Sequence, residues 1–186
     1  MAEWKKRHRV MRHYDRLAKI YDAQYADEQE AKIEAAMGDV HLKPNSNVLD
    51  VGCGTGLLFR YVGNSVKLLV GIDISPRILR EAKGQARKFK NVALLRAEAD
   101  HAPFKSQIFD TVFVITLIQN TPNPATTLRE TRRISKQDAV IVVTALKKEF
   151  TLKTLKQLLK NTELSIRTMK TDNNLKDHIA TCKNLT

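Results

Sequence analysis

The stretch Asn47-Val48-Leu49-Asp50-Val51-Gly52-Cys53-Gly54-Thr55-Gly56-Leu57-Leu58 constrains this chain more than any other. Val48, Leu49 and Val51 read as a short buried strand. Gly52, Gly54 and Gly56 read as the turn that follows, because glycine takes positive φ freely and lets a ligand approach bare backbone. A helix then begins. Such a turn, at the carboxyl end of the first strand of an open α/β sheet, is where these sheets bind ligands. A dinucleotide loop would read G-x-G-x-x-G and set a pyrophosphate on the helix N-terminus. Here the third glycine comes one residue early and Asp50 precedes the turn. A carboxylate there repels a pyrophosphate and suits a ligand carrying an ammonium group.

The rest of the chain alternates helices with strands, the pattern of a parallel α/β sheet. A helical region over residues 8–36 carries Val10, Tyr14, Leu17, Ile20 and Tyr21 at helical spacing. A short helix at 56–62 follows the glycine turn, and Gly63-Asn64 stops it. Val66 to Ile74 is a second strand, nearly continuous in apolar residues as a strand covered on both faces should be. Further strands are expected at 91–96, 109–115, 139–144, 164–169 and 177–183, with helices at 76–89, 126–135 and 151–161. At 186 residues this is one domain with a single sizeable core.

Asp73 closes the second strand, 17 residues after Gly56. In nucleoside-binding α/β folds an acid there accepts hydrogen bonds from the ribose hydroxyls. The competing role, capping the next helix, is already filled by Ser75-Pro76.

Four stretches, in order and at matching intervals, carry a family resemblance. Asp50 to Gly56, D-x-G-x-G-x-G, resembles motif I of the class I S-adenosylmethionine-dependent methyltransferases. Tyr14-Asp15-Arg16-Leu17-Ala18-Lys19-Ile20-Tyr21-Asp22 resembles the Y-D-x-x-A-x-x-Y-D opening of many small members. Ala97-Glu98-Ala99-Asp100-His101-Ala102-Pro103-Phe104 resembles their G-D-A-x-x-L-P-F loop, with Glu98 for the usual aspartate and Ala97 for a frequent glycine. Phe109-Asp110-Thr111-Val112 resembles their F-D-x-V strand. Two family features are missing: the N/D-P-P-Y/F motif of many exocyclic-amine methyltransferases, and the K-P-G-G turn before strand five, replaced by Lys136-Gln137-Asp138.

The resemblance implies a three-layer α/β/α Rossmann-like sandwich with a mostly parallel seven-stranded sheet in the order 3-2-1-4-5-7-6. It implies one methyltransferase domain over 1–186, with an N-terminal helical lid at 1–40 and the core at 47–186. S-adenosylmethionine would be the cofactor and S-adenosylhomocysteine the product. Its site would comprise Tyr14, Asp50, Gly52, Cys53, Gly54, Gly56, Asp73, Ile74, Glu98, Ala99 and Thr116. Glu98 would accept from the adenine amino group, reaching it only if the loop shifts, and the Ala99 amide would meet a ring nitrogen. Gln119 and Asn120, past the end of strand four, fall at the substrate-contact position, and Tyr21 joins them as a catalytic candidate. Tyr14 or Tyr21 would lie near the sulfonium as a cation–π partner. Both tyrosines also fit a plainer role as core-facing aromatics. Asn120 competes between substrate contact and helix capping, whereas Asn123 reads as the cap of the helix opened by Pro124. Asp100 and His101 carry no assigned chemistry.

Charge bears on the substrate. The formal net charge is +12, unevenly spread. Residues 1–20 carry seven Lys/Arg against two acids, 77–90 six against one, and 145–186 nine against four, whereas 21–76 carry four against eight. Such clusters favour a polyanionic partner, nucleic acid first, over a merely solvated basic surface. RNA base methylation, rRNA or tRNA, is therefore the leading expectation. A metabolite or quinone-like acceptor is the alternative, and a non-catalytic cofactor-binding RNA assembly factor the third. No cluster suggests a metal site. Cys53 and Cys182 are far apart and suit a reduced, cytoplasmic setting. No targeting segment is visible, and the longest apolar stretch, Val112 to Ile118, is too short to span a bilayer. Strand three, Asn91 to Arg96, falls at the sheet edge with four apolar residues in its middle and no proline or inward charge to blunt it. In several small RNA and translation-factor methyltransferases resembling this one, a small zinc-binding activator protein adds a strand at that edge.

Overall fold

The structure, a computed structural model, describes residues 2–185. In chain order it contains α1 (Ala2–Leu17), α2 (Tyr21–Met37), β1 (Asn47–Val51), α3 (Phe59–Val62), β2 (Leu68–Asp73), α4 (Pro76–Ala86), β3 (Val92–Arg96), β4 (Phe109–Val114), α5 (Pro124–Ile134), β5 (Ser135–Leu146), α6 (Leu152–Asn161), β6 (Leu164–Lys170) and β7 (Asp177–Asn184). The strands form one sheet in the order β3-β2-β1-β4-β5-β7-β6, as the resemblance implied. Every pairing from β3 across to β5 is parallel, and β7 runs antiparallel to both β5 and β6.

The alternation of side chains along the strands divides the core in two. Leu49, Val51, Val112, Val114, Ile141 and Val143 face α5 and α6 through Leu128, Ile134, Leu155 and Leu159. Val48, Leu69, Phe113 and Val142 face α2, α3 and α4 through Ile33, Ala36, Phe59, Val62, Ala82 and Ala86. The central strands read as continuous apolar runs because both faces are covered.

Local chemistry sets the helix starts. Ser75 Oγ accepts from Ile78 N (3.1 Å), with Pro76 in the first turn. Asn123 Oδ1 accepts from Ala125 N (3.0 Å) and Thr126 N (3.3 Å), so Asn123 is a cap. Thr151 caps α6 in the same way.

Three boundaries differ from the sequence expectation. The helical region over 8–36 is two helices, because Ile20 N closes a turn onto Leu17 O (2.9 Å) and buries Ala18 at the bend. The helix expected at 56–62 is regular only over Phe59–Val62, since the glycine turn occupies the residues before it. Strand five starts at Ser135 rather than Ala139. Lys136-Gln137-Asp138 is not a separate turn but an irregular part of that strand, with a register shift opposite Phe109–Thr111 and Asp138 at φ 60°. Aspartate tolerates that left-handed conformation better than most residues.

The sheet order leaves β3 at an edge. Among the described residues it pairs only with β2, and Leu95 is exposed. Among them, too, no helix is long and apolar enough to cross a membrane.

Candidate functional site

A cleft of about 1050 Å³, open mouth included, lies at the carboxyl ends of β1, β2 and β4 beneath α1 and α2. The glycine turn forms its floor. Gly52 N and Cys53 N both donate to Ile72 O (2.8 and 2.9 Å), which pins the turn to the end of β2. Gly52, Gly54 and Gly56 all have positive φ, 73°, 54° and 85°. Their reasons differ. A Cβ on Gly52 would stand 2.8 Å from Leu117 Cδ1, and one on Gly56 would run into the Phe59 ring. A Cβ on Gly54 would meet no protein atom within 4 Å, because it would project into the cleft. That is the bare approach a ligand lying against the turn requires.

The contrast is testable. Gly54→Ala is expected to lose about 1–2 kcal/mol of stability from the left-handed backbone alone, yet to fold and to bind S-adenosylmethionine at least tenfold more weakly. Gly56→Ala is expected to cost about 1–3 kcal/mol more through overpacking against Phe59. Thermal melts and calorimetry on both variants separate the two effects.

Two acids face the floor. Asp73 Oδ2 accepts from Gly54 N (3.1 Å) and Oδ1 from Ser75 N (2.9 Å). An ionised carboxylate offers about four acceptor positions, so it retains capacity for a ligand's hydroxyls. Burial raises its pKa, and these backbone donors offset part of the rise. Asp50, almost fully buried at the end of β1, is pushed up to about 8, by desolvation first and by the negative charge of Asp73 second. Cys53 lines the cleft too, but burial raises its thiol well above the ordinary range, so it is no ready nucleophile.

The Tyr14–Asp22 stretch lies against the cleft, and both halves of its repeated Tyr-Asp pair make contacts there. Tyr14 and Tyr21 line the cleft with ring centroids 5.9 Å apart. Burial pushes the Tyr14 phenol up to about 12 and raises that of Tyr21 as well, so both stay neutral at ordinary pH. The aspartates clasp the loops below. Asp15 Oδ1 accepts from Ser75 Oγ (2.6 Å) and Arg77 N (3.2 Å), and Asp22 Oδ1 accepts from Thr55 Oγ1 (2.6 Å). The sequence motif assigns a role to the tyrosines alone, and the aspartates are an addition from the structure.

Past β4 the backbone bends sharply at Thr116, whose φ is 55°. Thr116 N donates to Thr144 Oγ1 (2.7 Å). Asn120 Nδ2 reaches both Thr116 O (3.0 Å) and the Tyr14 hydroxyl (2.9 Å), which brings Asn120, Tyr14 and Tyr21 together at one end of the cleft. Gln119 does not join them: it is not part of the cleft lining, and its Oε1 is buried without a hydrogen-bond partner. The adjacent 3-10 turn, Ile118–Asn120, sends consecutive side chains in different directions, so only one of the two amides faces the cleft. Gly56 is likewise outside the lining; it supports the turn by its packing on Phe59. The other expected cofactor residues, Ile74, Glu98 and Ala99 among them, do line it.

Three features had no sequence signal. Arg7 reads in the sequence as one more cation of a basic run. Its guanidinium turns inward, with Nη2 2.9 Å from Asp100 Oδ2 and Nε 3.3 Å from Glu98 Oε2. Asp100, expected to be idle, is thus a clasp that Thr127 also holds through its hydroxyl. Lys6 Nζ donates to Thr121 O (2.5 Å) and closes the same side. The third feature is Lys32, fully buried on α2. Its ammonium lies 3.0 Å from Asp177 Oδ1 on β7, 3.0 Å from Glu28 Oε1, and donates to Thr116 Oγ1 (3.1 Å). Thr116 Oγ1 in turn donates to Gln29 Oε1 (2.9 Å). His101 is exposed, as a solvated loop histidine should be.

Four acids, Asp50, Asp73, Glu98 and Asp100, line the cleft beneath two neutral tyrosines. Asp50 holds its proton up to about pH 8 and Arg7 pairs with both Glu98 and Asp100, so the net negative charge of the cleft comes from Asp73 and from the excess of those two acids over one arginine. This charge suits a cationic ligand. Gly54 and the spare acceptor positions of Asp73 meet what an adenosine-bearing amino acid requires of its floor and its ribose partner.

Comparison with known proteins agrees. Residues 42–184 match the methyltransferase domain family. An uncharacterised protein of Methanocaldococcus jannaschii, MJ1252, is 32% identical over 135 residues, covering 73% of this chain and 51% of that protein. The demethylmenaquinone methyltransferase of Tropheryma whipplei is 31% identical over 139 residues, covering 73% and 55%. The chain thus spans about half the length of the curated relatives it matches. Among solved structures, a chain from the complex between the Haloferax volcanii Trm112 methyltransferase activator and a methyltransferase superposes with a TM-score of 0.82 at 14% identity, over 93% of this chain and 98% of that one. An S-adenosylmethionine-dependent methyltransferase from Aquifex aeolicus superposes at 0.77 with 20% identity, over 92% and 98%. In sequence and in sheet order alike, the chain belongs to the methyltransferase domain family and has the class I S-adenosylmethionine-dependent methyltransferase fold.

Proposed function

We propose that this chain transfers a methyl group from S-adenosylmethionine to a base of RNA, as a single domain whose helices at 1–40 form a lid over a core at 47–186. The acidic, glycine-floored cleft beneath the paired tyrosines is the observation that carries the cofactor half. S-adenosylmethionine, when bound, supplies a methyl group already activated on a sulfonium, so the protein's task is positioning and exclusion of water. Asp73 accepts from the ribose and Asp50 meets the ammonium. Tyr14 and Tyr21 present aromatic faces to positive charge. Asn120, held by Tyr14 and Thr116, orients the acceptor by hydrogen bonds and is no base.

The RNA half is supported by charge. Arg77, Arg80 and Lys83 on α4 and Arg87 at its C-terminal cap are all exposed, in a chain of net charge +12. A metabolite acceptor is the second reading, favoured by the demethylmenaquinone methyltransferases among the relatives. A small zinc-binding activator is proposed at the open edge of β3. The superposed Haloferax volcanii methyltransferase, solved in complex with its activator, supports this, as does the unpaired edge itself. The buried free cysteines suit the cytoplasm.

One experiment tests the function. Labelled S-adenosylmethionine is incubated with total RNA, total protein and lipid extract, and the labelled fraction is mapped. Label in RNA is expected. Label in the lipid extract selects the metabolite reading, and no label with cofactor binding intact selects a non-catalytic assembly factor. Repeating the assay and co-purification with Leu94→Lys, which places a charge on the edge strand, is expected to lose the activator and the activity that depends on it.

A further inference from the structure

We infer that the outer face of α1 is a binding site for single-stranded RNA, with Trp4 as the platform on which one base stacks. The inference rests on the RNA reading above and names the surface that reading lacks. α1 has two faces of opposite use. Arg7, Val10 and Tyr14 line the cofactor cleft, and Lys6 closes its side. Lys5, Arg9, Arg12 and Arg16 are exposed, spaced four, three and four residues apart, and so lie along one outward stripe. These four border an open groove, with Arg77 of α4 on its far side; among the described residues no carboxylate pairs with any of the four, nor with the side chain of Arg77. The only acid in that groove, Asp15, already accepts from Ser75 and from the Arg77 amide. The stripe is therefore uncompensated positive charge. Its rise from Lys5 to Arg16 is roughly 16 Å, enough for about five phosphates at stacked spacing.

Charge alone would fit any polyanion. Trp4 narrows the choice. It is 55% exposed at the head of the stripe, and its ring lies 4.2 Å from that of His8, centroid to centroid, tilted by 43°. A half-exposed indole flanked by arginines is the combination that single-strand binders use: cations track the backbone while an aromatic face takes an unstacked base. An anionic membrane fits less well. A helix lying in a bilayer interface buries an apolar face, whereas Val10, Met11, Tyr14 and Leu17 are partly buried here and Trp4 is the sole exposed large apolar side chain among the described residues of α1.

Trp4 is also the one tryptophan of the sequence, so its fluorescence reports this site alone. A ten-nucleotide single-stranded oligoribonucleotide is titrated into the full chain at several salt concentrations. Quenching is expected, with log affinity falling linearly in log salt. Trp4→Ala, followed by anisotropy of a labelled oligomer, is expected to weaken binding roughly fivefold to a hundredfold. Arg9→Gln/Arg12→Gln is expected to weaken it at least tenfold and flatten the salt slope, while S-adenosylmethionine affinity stays unchanged because neither arginine touches the cleft. An oligomer that binds equally well to wild type and to both variants, without quenching, overturns this site but leaves the RNA reading standing. No binding of any oligomer overturns both. Quenching by anionic phospholipid vesicles and not by the oligomer assigns the surface to a membrane and overturns the proposal.

Discussion

Asp73→Ala is expected to weaken S-adenosylmethionine binding by roughly 1.5–3 kcal/mol, about tenfold to 150-fold, the scale of losing hydrogen bonds to a charged acceptor. The carboxylate holds the turn through Gly54 N and Ser75 N and keeps acceptor positions for the ribose. Removing it frees those two amides at the edge of the cleft, so the variant should still fold. Calorimetry on the folded variant is the measurement, and unchanged affinity removes the ribose assignment. A second consequence is specific to this geometry. The charge of Asp73 is one of the two causes that raise the pKa of Asp50. In Asp73→Ala the Asp50 carboxyl should therefore titrate at lower pH.

Asp50→Asn is expected to do two opposite things. In the folded chain the carboxyl keeps its proton up to about pH 8, whereas in the unfolded chain it loses it near pH 4. Between these values the folded state binds more protons than the unfolded one, so stability falls as pH rises through the window. The penalty is absent below about pH 4 and complete above about pH 8. Asparagine cannot ionise and removes it. At about 1.4 kcal/mol per pH unit, the gain at pH 8 is at most about 5 kcal/mol. Denaturant unfolding of both proteins across the window should show curves that meet at the acid end and diverge toward pH 8. S-adenosylmethionine affinity should fall in the same variant, because the carboxylate proposed to meet its ammonium is gone. For the native chain, binding near neutral pH should release a proton, visible as a dependence of the calorimetric enthalpy on buffer. A variant neither stabilised nor weakened in binding would remove Asp50 from this role.

Much of the fold lay open in the sequence because the core strands carry their signal locally. Val48, Leu49 and Val51, or Ala139 to Val143, are apolar whichever neighbours they pair with. Caps such as Asn123 before Pro124 act within four residues. The sheet order followed from the family resemblance rather than from any periodicity. What stayed hidden depends on contacts far apart in the chain. Arg7 and Lys6 look like Lys5 and Arg9 in a basic run, and only the packing of α1 turns one pair inward and leaves the other outside. Lys32 looks like a solvent-facing helix lysine until β7 brings Asp177 beside it, 145 residues later (177 − 32). Gln119 and Asn120 are indistinguishable as amides, and the 3-10 turn alone separates them. The break between α1 and α2 has neither glycine nor proline to announce it.

The Lys32–Asp177 pair has a bearing on how the chain is made. Both groups are fully buried, and an unpartnered buried ammonium is strongly unfavourable. On a ribosome adding roughly 5–20 residues per second, Lys32 emerges on the order of ten seconds before Asp177, and until then its only counter-ion among these is the partly exposed Glu28 of the same helix. Until then α2 has less reason to press its ammonium into the interior beside Thr116. A nascent chain stalled short of Asp177 should therefore show a lid more open to protease than the finished protein. The seventh strand fastens the helix that covers the glycine turn after the first.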